Sequence, residues 1–286
     1  VMGGPNGVNA TNIIQKYSLV TDSNATDVGD LTAAVYLNGG TSSPTNGYSA
    51  GGRPSTNGES IADINKFSLV SDGNASDVAN LSTFRRSLGT QISTTHGYYC
   101  GGYKVSGLEQ NIIDKNSFSS DTNATDVGDL LANIRRLFGQ SSTTHGYCSG
   151  GLNPSTTVNV IQKFPFASDT NSTDVGDLTQ DRYVGAPANS ETHGYCMGGI
   201  ATVGSWQNII DKFTFASDAN ATDVGDILTA DGNSMGASST THGYMAGGGF
   251  SLVSGTIQKV SFAADGNSTD VADLLAGNTS GAGCQV

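Results

Sequence analysis

The sequence predicts an all-β chain closed into a ring of six blades, each a sheet of four antiparallel strands: a six-bladed β-propeller. Three observations carry this. A lysine recurs as Lys16, Lys66, Lys115, Lys163, Lys212 and Lys259, at steps of 50, 49, 48, 49 and 47 residues. A glycine doublet recurs as often, at Gly3-Gly4, Gly51-Gly52, Gly101-Gly102, Gly150-Gly151, Gly198-Gly199 and Gly247-Gly248. The chain is also poor in charge (13 %) and rich in Gly (39 of 286 residues), Ser, Thr and Asn, which favour turns and strands over helix interiors. A period of ~40–50 residues built of short strands marks propeller blades, whereas helical solenoids need apolar residues spaced near 3.6.

The fourth unit shows the elements in order. Residues 137–142 form the innermost strand, and the turn Thr143-Thr144-His145-Gly146 leads into a second strand, 147–151, that ends in the Gly doublet. The third strand, 160–166, alternates, with Ile161, Lys163 and Pro165 on one side. A polar loop, 168–173, leads to a short outermost strand, 174–178. Asn, Asp, Gly and Ser at the tight connections supply the turn chemistry.

The chain begins just before a Gly doublet and ends in a segment, 281–286, that aligns with an innermost strand, Gly283 matching Gly236. About 280–286 is therefore expected to complete the first blade, whose other three strands come from 1–31, giving one domain over 1–286. Closure of this kind removes exposed sheet edges. The turn equivalent to Thr240-Thr241-His242-Gly243 has no counterpart at this seam. With no initiator Met and no leader pattern at its start, the chain reads as processed or as part of something longer.

These units resemble the kelch repeat. The matching features are the Gly doublet ending the second strand, an aromatic about a dozen or more residues later (Tyr17, Phe67, Phe164, Phe213), and an Arg between outermost and innermost strands (Arg86, Arg136, Arg182). The resemblance covers essentially the whole chain. It departs at the outermost strand, where kelch blades carry Trp and this chain has Asp-Val-Gly-Asp-Leu. The wording Ser-Asp-x-Asn-Ala-Thr-Asp-Val-Gly-Asp, as over residues 217–226, is similar to kelch-like proteins encoded by tailed phages of marine and cyanobacterial hosts. The resemblance implies a propeller and a place on a virion or other extracellular surface.

Two faces follow from the strand order. One carries the His turns and the Asp/Asn loops and is repetitive. The other varies in length and chemistry from unit to unit, and loops on a rigid scaffold are where binding concentrates. Arg and aromatic residues are the usual anchors of recognition, so the candidate binding residues are Arg53, Arg85, Arg86, Tyr103, Arg135, Arg136, Arg182, Tyr183, Trp206 and Phe250.

On the repetitive face, Asp22-x-Asn24-x-Thr26-Asp27 resembles the start of a calcium loop, although the Gly at its sixth position and the closing Glu are lacking. Asp22, Asn24 and Asp27 are the calcium candidates, set against plain Asx turns. The same loops hold Asn-x-Ser/Thr sequons at Asn24, Asn74, Asn123, Asn171, Asn220 and Asn267, read as by-products of the repeat rather than glycan sites. The six lysines suggest a buried, blade-internal ion pair with an Asp of the following loop. His96, His145, His193 and His242 occupy identical turns of different blades, too far apart to share a metal. Cys100, Cys148 and Cys196 read as buried thiols.

Formal charge of −12 disfavours a nucleic-acid partner, and no stretch approaches the ~20 apolar residues that cross a bilayer. Hydrolase and P-loop signatures are missing, and the acids of glycosidase propellers would have to converge near the axis. The expected function is therefore non-enzymatic: a virion or extracellular surface component (fibre, tail or decoration) recognising a host glycan or protein, with no cofactor. The alternatives are a structural module packing against copies of itself or other fibre proteins and, less favoured, a carbohydrate-active propeller enzyme.

Overall fold

The protein is described from a computed structural model over residues 1–6, 9–55, 58–105, 107–154, 156–202, 204–249 and 253–284. Every helical or extended element among them is a strand. Blade two comprises Gly39–Ser42, Asn46–Ala50, Asp63–Ser68 and Ser76–Asn80; blade three Gly89–Ile92, His96–Cys100, Ile112–Ser117 and Thr125–Asp129. Blade four comprises Phe138–Ser141, His145–Leu152, Thr157–Pro165 and Thr173–Asp177; blade five Ala186–Asn189, His193–Met197, Ile209–Thr214 and Thr222–Asp226. Blade six comprises Met235–Ser238, His242–Gly248, Ser254–Ser261 and Thr269–Asp273. In each the strands pair in antiparallel sequence, and neighbouring blades meet along their innermost strands.

Blade one is built from both ends of the chain. Thr11–Lys16 pairs with Thr26–Tyr36, and Met2 bridges Ile14 on one side and Ala282 on the other. Met2 and Ala282 exchange two backbone hydrogen bonds of 2.9 Å, and Asn278 Nδ2 donates to Gly3 O at 2.8 Å. The predicted closure is thus made through Ala282; Gln285 and Val286, also assigned to that strand, lie outside the described residues.

The core is a set of six layers between blades. The third strands each contribute one fully buried isoleucine (Ile14, Ile64, Ile113, Ile161, Ile210, Ile257) by alternation of the pleat. Each layer joins two neighbours: Tyr98, Ile113 and Leu130 of blade three pack with Leu137, Cys148 and Phe164 of blade four. The layer at the closure joins Met2, Ile14 and Leu31 with Phe67 of blade two and Ala282. Burying a side chain of this size contributes about 1.5–3 kcal/mol.

At the Gly doublets, where the second strand ends or, in blades four and six, shifts register, both residues adopt left-handed backbone. At Gly101 and Gly102 φ is 62° and 106°, and a Cβ on Gly101 would lie 2.4 Å from Ile134 O. Gly102 N–H donates to that carbonyl at 2.8 Å. The doublet therefore stitches the second strand of one blade to the segment entering the next.

Candidate functional site

The repetitive face is a clasp between blades. Each third-strand lysine reaches forward to the next blade: Lys66 to Asp121 (2.9 Å), Lys115 to Asp169 (2.6 Å), Lys212 to Asp265 (2.7 Å), and likewise Lys16 to Asp72 and Lys163 to Asp218. Lys259 closes the circle on Asp22 at 2.8 Å. The expected buried, blade-internal pair is corrected on both counts. The Asp carboxylates of these pairs are about half-exposed, and the lysines are 21–25 % exposed except Lys16, at 57 %. The other five lysines lie opposite a second-strand Tyr, such as Tyr98 opposite Lys115, which Lys16 lacks.

The Asn two residues after each Asp makes a second contact across the same junction, reaching back to the blade before it. Asn24, Asn74, Asn123, Asn171, Asn220 and Asn267 accept through Oδ1 from a backbone N–H of the preceding blade's outermost strand at 3.0–3.1 Å, Asn24 from Asp273. Asp27 accepts instead from Gly29 N–H, 3.1 Å away. The three calcium candidates thus turn to different partners: Asp22 to Lys259, Asn24 to Asp273 and Asp27 to its own turn. Among the described residues no three His, Cys, Asp or Glu side chains gather as a metal group. The motif is accounted for by ring assembly.

The histidines also act locally. Nδ1 of His96, His145, His193 and His242 meets the preceding Thr hydroxyl at 2.8–2.9 Å. Partial burial, and then the neighbouring clasp lysine, hold His96, His145 and His193 below the ordinary imidazole value. Cys100, Cys148 and Cys196 are buried free thiols, and burial pushes the Cys196 thiol up to about 12.

The varied face is organised by six residues just before the innermost strands. Leu37, Ser87, Arg136, Val184, Asn233 and Ser280 all take left-handed backbone, φ 53–68°, although none is Gly. Each N–H donates to the carbonyl of its counterpart in the preceding blade, at 2.5–3.0 Å, and Leu37 to Ser280 completes the circle. These six residues help line an axial cavity of about 150 Å³. Non-Gly residues in this region cost of order 1–3 kcal/mol each; here the closed hydrogen-bond circle holds them.

The residues immediately before that circle are Tyr36, Arg86, Arg135, Tyr183, Gly232 and Thr279. Four pair with the residue following a Gly doublet: Tyr36 with Arg53, Arg86 with Tyr103, Arg135 with Leu152, and Tyr183 with Ile200. The result is an arc of alternating rings and guanidinium groups. Tyr103 is flanked by Arg86 and Arg135, each 4.7 Å from its centroid. Arg53 lies 5.7 Å from Tyr36, and Arg136 5.9 Å from Tyr183. Arg86 also donates to Ser60 Oγ at 3.2 Å, and Arg135 pairs with the buried Glu109 at 3.2 Å. Burial, followed by repulsion from Arg53, lowers the Arg86 value; burial, followed by repulsion from Arg135, lowers that of Arg136.

Two candidate binding residues are corrected. Arg85 and Arg182 are 0 % exposed. Arg85 pairs with Asp114 of the next blade at 2.6 Å and donates to Gly101 O; Arg182 pairs with Asp211 at 2.7 Å and donates to Gly198 O and Ile209 O. Both are struts inside blade interfaces, where a buried charge needs a partner. Trp206, in a short strand pairing with Ile200, approaches Gly232, where a Cβ would lie 3.0 Å from the indole. Phe250 lies outside the described residues. Of the predicted set, Arg53, Arg86, Tyr103, Arg135, Arg136 and Tyr183 come together.

Tyr36 and Glu109 were not anticipated. Each sits at a position whose counterparts in other blades differ in chemistry, so no repeat flagged it. The buried pairs did carry a signal: the only two Asp-Lys third strands, at Asp114 and Asp211, each follow an Arg by 29 residues.

No protein-family model matches the chain, and no match emerges from comparison with curated proteins.

Proposed function

We propose that this protein is a non-enzymatic binding module of the kelch-like kind, displayed on a virion or other extracellular surface as part of a fibre, tail or decoration, that recognises a host or partner through its varied pole. The observation that carries this reading is the division of labour between the poles. On one, the repeated Lys, Asp and Asn side chains are spent joining blade to blade. On the other, Arg53, Arg86, Arg135 and Arg136 are gathered with three tyrosines beside the axial circle, and of the four only Arg135 forms an ion pair, with Glu109, among the described residues. The wording of the clasp loops supports the narrower likeness to kelch-like proteins of tailed phages.

Adsorption of the labelled protein to host-type cells tests this. Trp206→Ala and Arg53→Ala on the varied pole are expected to abolish adsorption, and Thr143→Ala on the His-turn pole to leave it intact. The reverse pattern would move recognition to the other pole and overturn the reading.

A further inference from the structure

The arginine arc carries a more specific assignment, which rests on reading the varied pole as the recognition surface. The chain has six arginines; two are buried struts, and the remaining four all lie in this arc. They gather although the protein as a whole carries −12. Lys104 belongs to the same face, and the acidic residues there are Glu59, Glu109, Asp181 and Asp231; Glu109 pairs with Arg135, while Asp181 accepts from Thr202 Oγ1 and Asp231 from Gly232 N–H. Like charges held together and partly desolvated are costly unless something of opposite sign joins them.

The arc is also preorganised. Its backbone is set by the circle of hydrogen bonds through Ser87, Arg136 and Val184, and its guanidinium groups are stacked on rings. Little side-chain freedom is left to lose on binding. With Arg86 and Arg135 both over the Tyr103 ring, the arc presents edges: guanidinium N–H groups and phenol hydroxyls. Such edges match oxyanions, which accept forked hydrogen bonds. The arc runs across successive blade junctions, from Tyr36 through Arg86 and Arg135 to Tyr183, so it suits anions repeated along a chain.

We infer that the arc formed by Arg53, Arg86, Arg135 and Arg136 binds an acidic saccharide, a sugar chain carrying carboxylate or sulfate groups. Calorimetric titration of the full chain tests this with a hexagalacturonate, a sulfated heparin hexasaccharide, maltohexaose and hexaglutamate, at low and high ionic strength. At least one acidic saccharide is expected to bind, more weakly in salt; which of the two binds separates carboxylate from sulfate recognition. Arg86→Gln with a native melting point is expected to weaken binding roughly tenfold or more, and Arg86→Lys to restore it only in part, since the fork is lost. Arg53→Gln, away from the Arg86–Tyr103–Arg135 stack, gives a second variant with the same expected loss. Silence of both acidic saccharides, equal binding of maltohexaose, tighter binding of hexaglutamate, or unchanged binding by a natively folded Arg86→Gln would overturn the assignment. If a neutral sugar or the peptide binds and Trp206→Ala weakens it, the varied pole stands and only the oxyanion assignment falls. If cell adsorption depends on the His-turn pole, the underlying reading falls with it.

Discussion

Lys259 and Asp22 are 237 positions apart in sequence, yet the ammonium group lies 2.8 and 2.9 Å from the two carboxylate oxygens of Asp22. This is the same contact that Lys115 makes with Asp169, so the seam between the last blade and the first is held like every other junction on this face. The clasp lies at the surface, where solvent and salt screen it. Lys115→Met is accordingly expected to cost no more than about 1 kcal/mol, and less in high salt. Urea unfolding measures this; a loss of several kcal/mol would mean the pair is far drier than its exposure implies.

The Arg182–Asp211 pair is the opposite case. Both side chains are fully buried, and Arg182 Nη1 also supports two carbonyls at 2.9 Å. Removing one partner strands the other charge, so Arg182→Met is expected to destabilise by about 3–5 kcal/mol. The double variant Arg182→Met, Asp211→Leu should recover much of that loss, because the desolvated carboxylate leaves with the arginine. A double variant as unstable as the sum of the singles would show no coupling between them.

Much of this was legible because a repeat displays each structural role six times. The lysine step, the Gly doublets and the alternation around Ile161 establish the blade count and the strand order. What repetition hides is direction. Lys115 and the Asp of its own loop are close in sequence, but the twist of stacked sheets brings the next blade's Asp169 nearer, so the pairing shifts forward by a blade. Arg85 and Arg86 are adjacent letters with opposite fates: one turns into the interface toward Asp114 and the other onto Tyr103. Side-chain direction at the left-handed entry to the innermost strand, which composition and spacing do not encode, separates them. Tyr36 joins the site only because Thr26–Tyr36 runs on far enough to pair with Arg53.

The three shifted histidines give a pH signature. Burial holds His96, His145 and His193 below the ordinary value of 6.5 in the folded chain. As pH falls through 6.5 the unfolded chain takes up these protons before the folded one does. Their contribution to stability is therefore fully present above that value and is lost as pH drops toward the folded values. Stability should begin to fall as pH drops through the ordinary imidazole value of 6.5. Replacing all three by Gln should flatten this slope, followed by urea midpoints across pH; a slope that persists would assign it to other groups.

Ring closure supplies the sharpest test of the architecture. Deleting 280–286 removes Ser280, which both donates to Asn233 and accepts from Leu37 in the axial circle, and removes the two bonds between Met2 and Ala282. It also uncovers Met2, which is fully buried in the intact ring. Exposing that side chain costs about 1.5–3 kcal/mol, and each lost hydrogen bond about 1 kcal/mol, before any loosening of the Phe67 layer it packs against. The truncated chain should therefore unfold at a markedly lower denaturant concentration, with the first blade losing amide protection before the third and fourth, which lie across the ring. An unchanged midpoint would mean that the blades stand without the circle, and the circle's role in fixing Arg86, Arg135 and Tyr183 would go with it.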